Sequence, residues 1–139
     1  MLSRLDSFFD QYKGYGNLFL RLVIGWRLID GTQDNVLSWE RMLEFRDFLA
    51  VHGVPFPLVA ANVSVYAQFI CGILYMLGWF IRPAAIVMII NFIAALLIAH
   101  IGLTFEQSFD AWMMLLGSLF FLFAGAGKIS VDELRKDRK

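Results

Sequence analysis

Four long apolar stretches dominate the chain, at residues 15–33, 58–81, 83–105 and 111–127. A helix needs about 20 mostly apolar residues to cross the hydrocarbon core of a bilayer. The second stretch carries no formal charge, and His100 is the one ionisable group in the third. The first holds Arg21, Arg27 and Asp30, and the fourth is short, so both need neighbours to shield or extend them. A soluble bundle needs a polar outer face on each helix, and the second and third stretches lack the residues to make one. The pattern predicts an all-α integral membrane protein, a four-transmembrane-helix bundle with short amphipathic surface helices.

Two of those surface helices are written at helical spacing. In residues 2–12, Leu2, Leu5, Phe8, Phe9 and Tyr12 are interleaved with Arg4, Ser7, Asp10 and Gln11, the pattern of a helix lying in the membrane interface. In residues 38–52, Ser38 is a suitable N-cap and Glu40 suits the first turn. Trp39, Met42, Leu43, Phe45, Phe48 and Leu49 form one apolar side, and Gly53, Pro55 and Pro57 supply the stop. Near the end, Ser130 and Glu133 have capping-box spacing, which predicts a short tail helix.

Composition agrees with a membrane location. Apolar residues make up 59% of the chain and charged ones 17%, against about 45–50% and about 25% in soluble domains. The net charge of zero gives no support to a nucleic-acid partner. No cleavable signal peptide is expected, because Asp6 and Asp10 precede the first apolar run and Arg21 and Arg27 interrupt it. Four spans put Arg4, Lys13, Arg82, Lys128, Arg135, Lys136, Arg138 and Lys139 on one side and Arg41 and Arg46 on the other. That asymmetry predicts an inner or plasma membrane protein with both termini cytoplasmic. Cys71 is the single cysteine, so no disulfide can form within the chain.

Ionisable groups within spans are costly and are therefore functional candidates. Arg27, Asp30 and Asp34 share one helical face. An Arg27–Asp30 ion pair would let the span insert, and the same face could line a polar pocket. His100 lies at the depth of Asp30, and Gln68 near that of Arg27, given the rise of about 1.5 Å per residue. The candidate ligand-binding group in the outer half is therefore Arg27, Asp30, Gln68 and His100. Arg21, Asp34, Asn91 and Glu106 are secondary candidates. Arg21 is placed to snorkel to the headgroups, Asn91 to bond a neighbouring helix, and Glu106 frames the outer turn. A His beside a carboxylate suits proton exchange near neutral pH. No phosphate loop, HExxH, GxSxG or metal-ligand cluster occurs, so no metal is expected.

Several segments in order resemble the DoxX family. They are Arg21-Leu22…Gly25…Gly31, Gly53-Val54-Pro55-Phe56-Pro57, Gly72-Ile73-Leu74-Tyr75-Met76-Leu77-Gly78 with Arg82 after it, and Gly125-Ala126-Gly127-Lys128-Ile129-Ser130-Val131-Asp132. The resemblance covers residues 15–133. It implies kinship with the DoxD subunit of an archaeal thiosulfate:quinone oxidoreductase and, for some members, partners in oxidative-stress defence. The chain departs from the family where it reads Asp30-Gly31 and Asp34 in place of His-Gly and a Lys, and Gln68 in place of an acidic residue.

The leading expectation is a membrane subunit of a quinone-linked redox system. It would carry no cofactor of its own and would take quinone as its bound substrate, with a redox partner protein supplying the cofactor. The alternative is a non-enzymatic membrane scaffold for redox or stress-defence partners, with a homo-oligomer as a further expectation. A small-solute transporter or channel fits less well, because the chain lacks repeat symmetry.

Overall fold

The computed structural model describes residues 1–139, and all regular structure in it is helical, with no strand. The helices are α1 (Leu2–Tyr12), α2 (Gly16–Asp30), α3 (Gln33–Leu37), α4 (Trp39–Val51), α5 (Pro57–Leu77), α6 (Ile81–Ile98), α7 (Phe109–Ala124) and α8 (Val131–Lys136). A single 3₁₀ turn, Lys13–Tyr15, joins α1 to α2.

Local chemistry sets the helix ends. Ser38 Oγ accepts from the Arg41 N–H at the start of α4, and Ser130 Oγ accepts from the Glu133 N–H at the start of α8. Pro57 opens α5, where a missing N–H costs no hydrogen bond. The second apolar stretch continues to residue 81, yet α5 stops at Leu77. Gly78 adopts a left-handed φ of 68°, its N–H bonds the Tyr75 carbonyl, and the Trp79 N–H bonds that of Leu74. This is the Schellman stop, and glycine adopts it without a Cβ penalty. Similarly, α6 ends at Ile98 although the apolar pattern runs to residue 105. Gly102 at φ 80° and the Leu103 N–H to His100 carbonyl bond turn the chain there. Helix α3 lies in a polar stretch with too few apolar residues to give a periodic signal.

A core of thirteen buried residues draws on four helices: Ile24 and Leu28 from α2, Cys71 and Tyr75 from α5, Met88 and Phe92 among those from α6, and Met114 and Phe121 among those from α7. Helix α2 packs on α5, α5 on α6, α6 on α7, and α7 back on α2. A second cluster seats Met42 and Leu49 of α4 against Ala61 and Val65 of α5.

Two helices, α5 and α6, are long and apolar enough to cross a membrane, and α7 is a shorter apolar helix. In each of the two, only 28% of the most apolar window is buried within the chain. A core helix of a soluble protein would be mostly buried. Here Val59, Val63, Ile70, Ile90, Leu97 and Leu116 face outward, where contact with lipid removes the hydrophobic cost of exposure.

The segment before α2, the α5–α6 turn and the segment after α7 meet at one end. The Lys128 N–H bonds the Gly14 carbonyl, and the Asp132 N–H bonds the Gly78 carbonyl, both at 3.0 Å.

Candidate functional site

The predicted outer-half group does not assemble as a unit. Arg27, near the end of α2, pairs with Asp110 of α7 at 2.6 Å, and not with Asp30 one turn away. Two features explain the choice. Gly31 leaves room for the guanidinium, since a Cβ there would lie 2.7 Å from Arg27 Nη1. Asp110 sits in the first turn of α7, where the helix dipole favours a carboxylate. Asp30 instead accepts from Gln33 Nε2 at 3.2 Å. Asp34 occupies the first turn of α3 and is exposed, as is Glu106 in the turn before α7. His100 Nδ1 bonds the Ala95 carbonyl at 2.9 Å, closing the C-terminal end of α6 and not meeting Asp30.

Gln68 belongs to a different polar group. Its Nε2 donates to Ser64 Oγ at 3.1 Å, and Ser64 Oγ donates to Asn91 Oδ1 at 2.8 Å. The chain Gln68–Ser64–Asn91 bridges α5 and α6 near the middle of both helices. All three residues are half-buried, so the group lies at the helix surface between α5 and α6. Ser64 was not singled out by the sequence, because a lone serine at one helical position carries no signal until its neighbour Asn91, 27 residues away, is placed.

Arg21 departs furthest from expectation. It does not snorkel. It is 1% exposed, with Nη1 donating to the Ala126 carbonyl at 2.7 Å and Nη2 to the Ile129 carbonyl. Beside it, Asn17 Nδ2 donates to the Gly125 carbonyl at 2.9 Å. Gly78 makes the space, because a Cβ there would collide with the Arg21 guanidinium. Gly125 and Gly127, at φ 74° and 81°, bend the segment after α7 so that its carbonyls turn inward. Asp132 then accepts from the Phe80 and Ile81 N–H groups at 3.0 and 3.1 Å, capping α6. Asn17, Arg21 and the segment 125–132 thus form a polar clasp that ties α2, α6 and α7 together. The sequence held the signal in Gly125-Ala126-Gly127-Lys128-Ile129-Ser130-Val131-Asp132, although nothing in that run names Arg21 as its partner.

The interior holds one further polar contact. Tyr75 Oη donates to Ser118 Oγ at 2.8 Å, and the Tyr75 ring packs edge-on to Phe121 at 4.9 Å. The pair satisfies both hydroxyls in an apolar setting.

No curated protein and no solved structure matches the chain significantly. The DoxX family model matches residues 16–101, which take in α2 through α6 and the Gln68–Ser64–Asn91 group, and include Arg27 but not its partner Asp110. The match covers more than half of the chain, and with its outward-facing apolar helices this protein belongs to the DoxX family of small membrane proteins.

Proposed function

We propose that the chain is a four-span inner or plasma membrane protein with both termini cytoplasmic, and that it serves as the membrane subunit of a quinone-linked redox system. Three observations support four spans. Helices α2, α5, α6 and α7 share one core. Their outer faces are apolar. Both terminal segments and the α5–α6 turn gather at one end, as an even number of crossings requires. At 15 and 16 residues, α2 and α7 are short, and local bilayer thinning and snorkelling accommodate such helices.

The half-buried Gln68–Ser64–Asn91 chain carries the quinone reading. A side-chain amide has two N–H donors. Gln68 uses one on Ser64, and Asn91 is engaged through its oxygen. An amide donor facing hydrocarbon without a partner costs several kcal/mol. A quinone reaches this surface from the lipid, and its carbonyl oxygens are the acceptors these donors lack. A partner protein would supply electrons, with protons from solvent completing reduction to the quinol. Arg27 and Asp110 lie at the outer ends of their helices, where the pair would steady the bundle above the ligand.

Titration of decylubiquinone into the chain in nanodiscs tests this. Saturable binding is expected, weakened about tenfold or more in the double variant Gln68→Leu, Asn91→Leu, since about 1.4 kcal/mol of lost hydrogen bonding is tenfold in affinity. Absence of saturable binding, or equal affinity in the variant, would count against the reading. A scaffold role is the second reading, favoured by α4, which leaves Trp39 and Phe48 exposed while Met42 and Leu49 hold it to α5. That role predicts partner retention that depends on Trp39 and not on Gln68.

A further inference from the structure

A cavity of about 500 Å³ opens at the end of the bundle that gathers both terminal segments, between the start of α6, the end of α7 and α8. Its size falls within the range of about 300–1,000 Å³ common for ligand sites. Five basic side chains line it: Arg82, Lys128, Arg135, Lys136 and Lys139. The two carboxylates in its wall are already engaged. Asp132 accepts from the Phe80 and Ile81 N–H groups, and Glu133 pairs with Lys136 at 3.5 Å.

Three of the four remaining cations are positioned by neutral groups. Arg82 Nε donates to the Leu122 carbonyl at 3.1 Å. Lys128 Nζ donates to the Gln11 carbonyl at 3.4 Å and lies 5.6 Å from the centre of the Tyr15 ring. Arg135 lies 5.4 Å from the centre of the Phe80 ring. Carbonyls and ring faces orient a cation without cancelling its charge. Outside the cavity, Lys13, Arg27, Arg41 and Arg46 each pair with a carboxylate, whereas Arg4, Arg21 and Arg138 lie apart from one another and do not converge on a shared space. Arg82, Lys128, Arg135 and Lys139 outnumber the one carboxylate, Asp132, that has no salt-bridge partner in the cavity wall, so the cavity keeps a net positive charge whose mutual repulsion a bound anion relieves.

The surroundings select the kind of anion. The cavity lies where the apolar flanks of α6 and α7 end, and Phe80 in its wall, with Trp79 and Ile129 nearby, is exposed. A ligand with a charged head and an apolar tail satisfies both parts. We propose that this cavity binds the phosphate headgroup of an anionic phospholipid, with the acyl chains leaving along the outer faces of α6 and α7. Arginine grips phosphate oxygens through its planar fork, and lysine adds point charge. This site is separate from the Gln68–Ser64–Asn91 group and does not depend on the quinone reading.

The test uses the full chain in phosphatidylcholine nanodiscs, with and without phosphatidylglycerol, read by native mass spectrometry of retained lipid and by thermal stability. Wild type should retain phosphatidylglycerol selectively and unfold at a higher temperature when it is present. Arg82→Gln with Arg135→Gln should weaken that selectivity about tenfold or more, while Arg46→Gln at the opposite end leaves it unchanged. Arg135→Gln with Lys139→Gln lies on the exposed tail, where folding is not at stake, and should weaken it several-fold. Unchanged retention in both double variants would overturn the proposal. So would inorganic phosphate stabilising the chain in pure phosphatidylcholine as well as phosphatidylglycerol does, because the ligand would then be a soluble phosphate.

Discussion

Replacing Arg21 by alanine is expected to destabilise the fold by about 3–6 kcal/mol, since two hydrogen bonds from a charged donor are lost at about 1.5–3 kcal/mol each. The guanidinium is buried, so solvent screening does not reduce the effect. Its bonds to the Ala126 and Ile129 carbonyls are the contacts that fasten α2 to the segment after α7. Without them two carbonyls lose their donor and the clasp opens, releasing the Asp132 cap on α6 as well. Arg21→Lys should lose about half as much, because a single ammonium cannot span both carbonyls with the geometry of the planar fork. Denaturant unfolding of the two variants beside wild type, in one detergent, measures this. An Arg21→Ala variant within about 1 kcal/mol of wild type would mean that the clasp does not hold the bundle together.

The second large effect is expected where α2 crosses α5. Gly25 and Gly72 face each other so closely that a Cβ on Gly25 would lie 2.7 Å from the Gly72 carbonyl oxygen, and one on Gly72 would lie 2.8 Å from that of Gly25. Backbone cannot move aside as a side chain can, so even one added methyl must push the helices apart. Gly25→Ala and Gly72→Ala should each cost about 1–3 kcal/mol, the usual range for overpacking, and Gly25→Leu should prevent α2 from docking. Gly117→Ala is expected to be milder, because its new methyl meets only the flexible end of Ile24. Gly16 supplies the control: nothing lies within 4 Å of its Cβ position and it begins a helix, so Gly16→Ala should be neutral or slightly stabilising. Equal losses at Gly16 and Gly25 would show that close helix approach is not the cause.

The elements were legible where one local property decides them. Long uncharged apolar runs marked α5 and α6, and Ser38 and Ser130 marked the starts of α4 and α8 by capping chemistry. Helix ends were less legible wherever apolar residues continue into a turn. Ile101, Leu103 and Phe105 extend the apolar pattern beyond α6, but Gly102 turns the backbone, and hydropathy does not register backbone angle. Tertiary partners were the least legible. Arg27 has acidic residues within one turn of its own helix at Asp30 and across the bundle at Asp110, 83 residues on, and only the placement of Gly31 and α7 decides between them. Arg21 reads as an interfacial arginine because its partners are backbone carbonyls, which have no signature in sequence. Gln68 and Asn91 were visible one by one, whereas Ser64 between them was not. The grouping of the three was not visible either, since depth along a helix says nothing about which face a residue shares with a neighbour.

Four crossings with both ends on one side are tested most directly by side-specific thiol labelling of intact cells. In a Cys71→Ala background, single cysteines are placed by Gln11→Cys, Glu44→Cys, Glu106→Cys and Arg138→Cys, and each variant is exposed to a membrane-impermeant maleimide before and after lysis. Residues 44 and 106 should label in intact cells, whereas 11 and 138 should label only after lysis. Labelling of 11 or 138 from outside, or of only one of 44 and 106, would contradict the four-span arrangement.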